Sequence, residues 1–217
     1  MKKIDKKQML KILTILKKNF GKIDWGLEDP FKLLIATILS QHTSDKNSLK
    51  AYKRLEKNLE LTPKVLVEVN SRKIEELIKP AGLWRIKAKK IKEVSNEILK
   101  KFSGDFSKIF NLPLQDARKV LLSLPGVGEK TADVLLAFSG GMPVFPVDTH
   151  LFTLAKRLKI SNSKNYDSVR VAYEKLIPPK KRAEAHVLLL TLGKRYCGVL
   201  KPKCDVCPIK NFCPSKR

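Results

Sequence analysis

Leu124-Pro125-Gly126-Val127-Gly128-Glu129-Lys130-Thr131-Ala132 reads as a tight turn between two helices, with a lysine just inside the second. Apolar Leu114, Ala117, Val120, Leu121 and Leu124 fall at helical spacing before it, and Ala132, Leu135, Leu136 and Phe138 resume a helical stripe after it. Pro125, Gly126 and Gly128 interrupt the two stripes. A turn of this kind aims backbone N–H groups outward at a helix N-terminus, where an anion is favoured. A bare Pro-Gly-x-Gly is more often only a packing turn, so the rest of the chain decides its meaning.

The 217 residues carry 45 lysines and arginines against 21 aspartates and glutamates, a formal charge of +24. The excess runs the length of the chain, and lysine rises without matching glutamate, which points to a polyanion partner such as DNA. A hydrophobic content of 43% supplies a real core, which excludes global disorder. No run approaches the roughly 20 apolar residues needed to span a bilayer. Met1-Lys2-Lys3-Ile4-Asp5-Lys6-Lys7 is charged and lacks a signal-type apolar core, so a cytoplasmic or nucleoid protein is expected.

The periodicity predicts an all-α chain. Helices are expected at 6–19, from Pro30 to Leu39 behind an Asp29 cap, at 46–57, at 63–69 behind Thr62, at 72–79 behind Ser71, at 85–101, and at 149–158, 166–177 and 181–195. In the 85–101 helix Ile86, Ile91, Val94 and Ile98 are expected inward, with Arg85, Lys87, Lys89, Lys90 and Lys92 outward. Val144–Val147 reads as extended. His186, among Val187, Leu188, Leu189 and Leu190, reads as a core histidine, and His150 as structural.

Cys197, Cys204, Cys207 and Cys213 are spaced C-x6-C-x2-C-x5-C. Four thiolates in so short a loop bind Zn²⁺ or a [4Fe–4S] cluster; the spacing alone does not choose, and zinc is the commoner structural ion. Lys201, Lys203, Lys210, Lys216 and Arg217 make the loop a basic protrusion, and Tyr196 and Phe212 are placed to shield its metal.

Three elements coincide: the glycine turn with Lys130, Val147-Asp148-Thr149-His150, and the cysteine loop. Together they resemble the endonuclease III family of helix-hairpin-helix DNA glycosylases, from about Asp29 to Cys213. The family pattern L-P-G-V-G-x-K-T-A is matched by Leu124–Ala132 and V-D-T-H by Val147–His150. The resemblance implies a [4Fe–4S] cluster on the four cysteines in place of zinc. It also implies two helical lobes, a six-helix barrel over 24–142 with the helix-hairpin-helix at about 112–138, and a cluster lobe of 1–23 plus 143–217, with DNA lying in the cleft.

By the same resemblance Lys130 is the nucleophile that forms a Schiff base at C1′ and Asp148 its electrostatic and base partner. The alternatives are a surface lysine and a helix N-cap. Gly126, Val127, Gly128 and Thr131 are expected at the DNA phosphates. Gln41, His42 and Leu83 are the candidates to fill the gap left by an extruded base. Here the chain departs from the family's common S-A-Q-A-T-D: it reads Ser40-Gln41-His42-Thr43-Ser44-Asp45, with His42 at the usual glutamine. Leu192-Gly193-Lys194 likewise stands where some members carry H-G-R. The resemblance implies a monomeric base-excision glycosylase and abasic-site lyase acting on oxidised pyrimidines in duplex DNA. Mismatched thymine or uracil, and 8-oxoguanine, are the substrate alternatives. A non-catalytic DNA-binding module with a structural metal is the alternative of another class.

Overall fold

The structure, a computed structural model, describes residues 3–21, 23 and 29–216. The lobe boundary expected at residue 24 and the basic Arg217 lie outside the described residues. Among the described residues the chain is all-helical, without a strand. It divides into two compact units, Gly26–Gly140 and Met1–Trp25 with Gly141–Arg217.

Among its described residues the Gly26–Gly140 unit holds seven α-helices: α2 (Pro30–Ser40), α3 (Asp45–Asn58), α4 (Pro63–Glu68), α5 (Ser71–Ile78), α6 (Trp84–Phe102), α7 (Leu114–Leu122) and α8 (Glu129–Phe138). Their starts follow side-chain capping, which satisfies the first free N–H groups of a helix. Asp29 accepts from Lys32 N at 2.7 Å, with Pro30 at the first helical position. Thr62 accepts from Val65 N at 3.3 Å. The expected Ser71 cap is displaced by one residue: Asn70 accepts from Arg72 N at 2.9 Å, and Ser71 opens the helix. Short 3₁₀ turns at Lys79–Ala81 and Phe106–Asn111 complete the unit. The second bears Phe106 and Ile109 into the core from a segment with no periodic stripe.

Helix α6 corrects the expected register. Its buried face is Lys87, Ala88, Ile91, Val94, Ser95 and Ile98, spaced at i, i+4, i+7. Ile86 lies one residue, about 100°, off that face and is 55% exposed, whereas Lys87 is only 2% exposed. A buried ammonium must find acceptors. Lys87 Nζ donates to Leu39 O and to Ala81 O, each at 2.9 Å. Lys92, also expected outward, is half-buried and donates to Val67 O at 2.8 Å and to Val69 O, at the end of α4. Lys90 is half-buried as well; Arg85 and Lys89 are exposed as expected.

The other unit contains α1 (Lys6–Phe20), α9 (Thr149–Arg157), α10 (Tyr166–Leu176) and α11 (Arg182–Arg195). A core of Met9, Ile12, Leu16, Leu154, Tyr173 and Leu189 joins them. His186 is buried in α11, as expected, with Nδ1 2.9 Å from Pro146 O.

Helices α7 and α8 are braced by an ion pair. Arg118 Nε donates to Asp133 Oδ1 at 2.9 Å, and the Asp133 side chain is fully buried. Removing one partner of such a pair strands the other charge. Asp133→Ala is expected to lower unfolding free energy by about 3–5 kcal/mol, measured by urea denaturation, while Arg118→Met with Asp133→Leu recovers most of it. A loss below about 1 kcal/mol for Asp133→Ala would remove the pair from the account.

Candidate active site

The turn between α7 and α8 is short because its apolar residues face inward. Leu124 and Val127 are buried, and Val127 N donates back to Leu124 O at 3.1 Å. Gly126 takes φ +79°, in the left-handed region that favours glycine. A Cβ there would sit 3.1 Å from Lys90 Cδ, so the stem of Lys90 closes over the turn. Gly128 differs: its φ is −99°, and a Cβ there would meet nothing within 4 Å. It caps α8 with no side-chain hydrogen bond, leaving an open, exposed helix N-terminus. Lys130, the second residue of α8, is half-buried. Val127 and Thr131 are buried, and Val127 N is already engaged with Leu124 O.

Gln41 is half-buried and its Nε2 donates to Gly126 O at 3.0 Å, tying the 40–45 segment to the turn. His42 is exposed at φ +51°. Leu83 is 52% exposed at φ +46°, immediately before α6. Trp84, the first residue of α6, is half-buried. Positive φ is tolerated by histidine more readily than by most residues, so of the two Leu83 holds the more uncommon backbone conformation.

Asp148 is the N-cap of α9: its Oδ1 accepts from Leu151 N at 2.9 Å. The carboxylate is half-buried, and capping engages one of its two oxygens. The approach to it, Val144–Val147, is irregular and buried without a strand partner, so side chains satisfy its backbone. Glu174 Oε1 accepts from Phe145 N at 3.0 Å, Tyr166 OH from Val147 N at 3.1 Å, and His186 meets Pro146 O. Glu174 is in turn gripped by Arg170 at 3.1 Å. Tyr173 donates to Leu151 O at 2.8 Å. Burial first, then the charges of Asp148 and Cys197, push that phenol well above the ordinary tyrosine range.

His150 packs on α11 at Gly193. A Cβ on Gly193 would lie 2.8 Å from His150 Cβ, a distance real Cβ contacts essentially never show. This explains why the residue between Leu192 and Lys194 is glycine within a helix.

The four cysteines are all half-buried and line a cavity of about 990 Å³ with Arg157 and Tyr196. Arg157 Nη1 donates to Cys197 Sγ at 3.0 Å and to the carbonyls of Cys197 and Gly198, and Nη2 donates to Val199 O at 2.8 Å. Burial raises the Cys207 and Cys213 thiols, and the neighbouring cysteines raise them further. Gathered thiolates of this kind call for a positive centre. Among the described residues, no group of three or more His, Cys, Asp or Glu side chains is set to hold a metal ion. The donor chemistry nonetheless fits a thiolate-ligated centre, with the arginine as an outer hydrogen-bond donor to one sulfur. Asp133, Arg118 and Arg157 were not singled out in the sequence. Their only signal there is a charge on an otherwise apolar helical face.

A family model described as HhH-GPD superfamily base excision DNA repair protein matches residues 35–179. The chain belongs to this superfamily. Among its HhH-GPD relatives, endonuclease III of Escherichia coli K12 is 31% identical over 98% of each chain. Endonuclease III of Thermotoga maritima is 34% identical over 85% of this chain and 83% of its own. A solved non-covalent endonuclease III–DNA complex aligns with TM-score 0.84 and 29% identity over 98% of this chain and 97% of that one. A thermostable thymine-DNA glycosylase, at 23% identity and TM-score 0.78, shares the fold. No described helix of this HhH-GPD protein is long and apolar enough to cross a membrane.

Gly193→Ala is expected to lower Tm, with a cost of about 1–3 kcal/mol from overpacking against His150. At an open helix site the same change stabilises by about 0.5–1 kcal/mol. A raised Tm would show that α9 and α11 do not approach closely.

Proposed function

We propose that Lys130 and Asp148 carry out base excision and strand cleavage in this protein, with an oxidised pyrimidine in duplex DNA as the substrate. The enzyme is a DNA glycosylase with abasic-site lyase activity that acts on damaged double-stranded DNA. The observation that carries the residue assignment is the open N-terminus of α8, which puts Lys130 two residues beyond Gly128. Phosphate bound at those N–H groups belongs to the sugar that the lysine would attack.

In this reading the target nucleotide leaves the stack. Neutral Lys130 Nζ attacks C1′, and the base departs with the glycosidic electron pair and takes up a proton. Asp148 is assigned the role of base and of stabilising the positive charge that develops on the sugar. The sugar ring opens to an iminium joining Nζ and C1′. Loss of a C2′ proton then expels the 3′ phosphate, cutting the strand, and water releases the lysine. Asp148 serves as N-cap and acid–base group together, since its capping bond fixes the carboxylate's direction. His42, Gln41 and Leu83 fill the gap. The exposure of His42 and Leu83 and the tether of Gln41 to the turn support this reading.

Cys197, Cys204, Cys207 and Cys213 would hold a [4Fe–4S] cluster, which supplies folding energy to a loop poor in apolar residues. The basic loop residues Lys201, Lys203 and Lys210 then meet phosphates. No chemical step passes through the cluster. The protein would work inside the cell, on the nucleoid.

Borohydride trapping on a duplex with an abasic site should cross-link the wild type and not Lys130→Ala. Asp148→Asn should keep duplex binding within about tenfold while base release falls on the order of 10²–10⁴-fold. Equal losses in binding and rate would reduce Asp148 to a cap, and trapping by Lys130→Ala would reject the nucleophile. Iron analysis of purified protein should give about four irons per chain, and a single zinc would reject the cluster.

A further inference from the structure

Helix α6 touches three of the loops that the proposed function assigns to DNA. Lys87 and Lys90 lie three residues apart on it, and so share a side of the helix. Lys87 Nζ is hydrogen-bonded at 2.9 Å to Leu39 O, one residue before Ser40-Gln41-His42, and at 2.9 Å to Ala81 O, two residues before Leu83. The Lys90 stem packs on Gly126 of the turn. Gln41, leaving the first loop, closes the set by donating to Gly126 O.

The two loops that Lys87 joins are the ones whose tips are strained. His42 at φ +51° and Leu83 at φ +46° occupy left-handed conformations disfavoured for residues bearing a Cβ. Such conformations persist only where the surroundings over-determine them. Lys87 supplies that determination from below: it is buried and reaches no solvent, so it cannot itself touch DNA. An apolar side chain of the same length would fill the space but leave two buried carbonyls without this donor.

We propose that Lys87 is a positioning residue: its ammonium clamps the C-terminal end of α2, which leads into the 40–45 loop, to the 80–83 loop so that His42 and Leu83 enter the gap left by the extruded nucleotide. The inference rests on the proposed function for its setting. It adds that filling the gap depends on a lysine that meets neither substrate nor reacting atoms. Burial, and secondarily the charge of Lys90, lower the Lys87 pKa, in keeping with an ammonium held by neutral carbonyls alone.

The test uses the full chain with its metal centre and three DNAs. The first is an abasic single strand for borohydride trapping, which needs no gap to be filled. The second is a duplex with a damaged pyrimidine, for single-turnover base release. The third is a duplex with a tetrahydrofuran abasic analogue opposite 2-aminopurine, whose fluorescence rises when that base is unstacked. Lys87→Met should trap on the single strand within a few-fold of wild type, lose the 2-aminopurine rise, and release base on the order of 10²-fold more slowly. Retention of the 2-aminopurine rise overturns the proposal at any activity, and so does loss of trapping in proportion to base release. Lys87→Gln, which keeps one donor group, must show the same split if Lys87→Met does not fold. If neither variant folds, Lys87 is a folding residue and the proposal is wrong. A wild type that traps on no DNA refutes the proposed function instead.

Discussion

A fully buried aspartate on α8 takes the guanidinium of an arginine on α7, and between those two helices runs a six-residue connection. Ion pairs in such places stabilise little in net terms, since desolvation offsets most of the attraction. They do fix geometry. With Arg118 and Asp133 joined and with Leu124 and Val127 turned inward, the polypeptide has few ways to cross from one helix to the next. The one it takes leaves Gly128 open to solvent and Lys130 at the start of α8. An open helix N-terminus without a side-chain cap is a cost to the isolated fold and a ready anion site. The proposed chemistry follows from that exchange.

The two units reach the same end by different means. In the Gly26–Gly140 unit, lysines fold back to serve carbonyls at the ends of helices: Lys87 those of Leu39 and Ala81, Lys92 those of Val67 and Val69. In the other unit the irregular segment Val144–Val147 is held by Glu174, Tyr166 and His186. Its last act is to present Asp148 as the cap of α9. Both proposed reacting groups therefore sit at helix N-termini, Asp148 as the N-cap of α9 and Lys130 as the second residue of α8, where orientation is set by backbone.

Much of this was legible beforehand. Capping residues marked the helix starts within a residue or two, and the apolar stripes marked the faces. The errors have physical causes. Lys87 and Ile86 were assigned by residue type, whereas the face is set by phase with Ile91 and Ile98. A lysine with two carbonyls within reach can occupy a buried position that a solvent-exposed isoleucine leaves to it. The Phe106–Asn111 turn has three residues per turn and too few of them to form a stripe. Gly126 and Gly128 look alike in sequence, but only the first needs positive φ; the second is small where the helix end must stay open. Arg118, Asp133 and Arg157 are polar partners brought together from distant positions, and no local pattern announces them. Lys130 and Asp148 stood out among many charged residues through the family pattern.

The central claim is that one lysine, among 45 lysines and arginines, is the nucleophile because the turn places it. Peptide mapping by mass spectrometry of the wild-type protein, reduced with borohydride on abasic duplex DNA, reads out which residue bears the sugar. The account predicts the adduct on the peptide containing Lys130, at its Nζ. An adduct on any other lysine, or on the N-terminal amine, would contradict it.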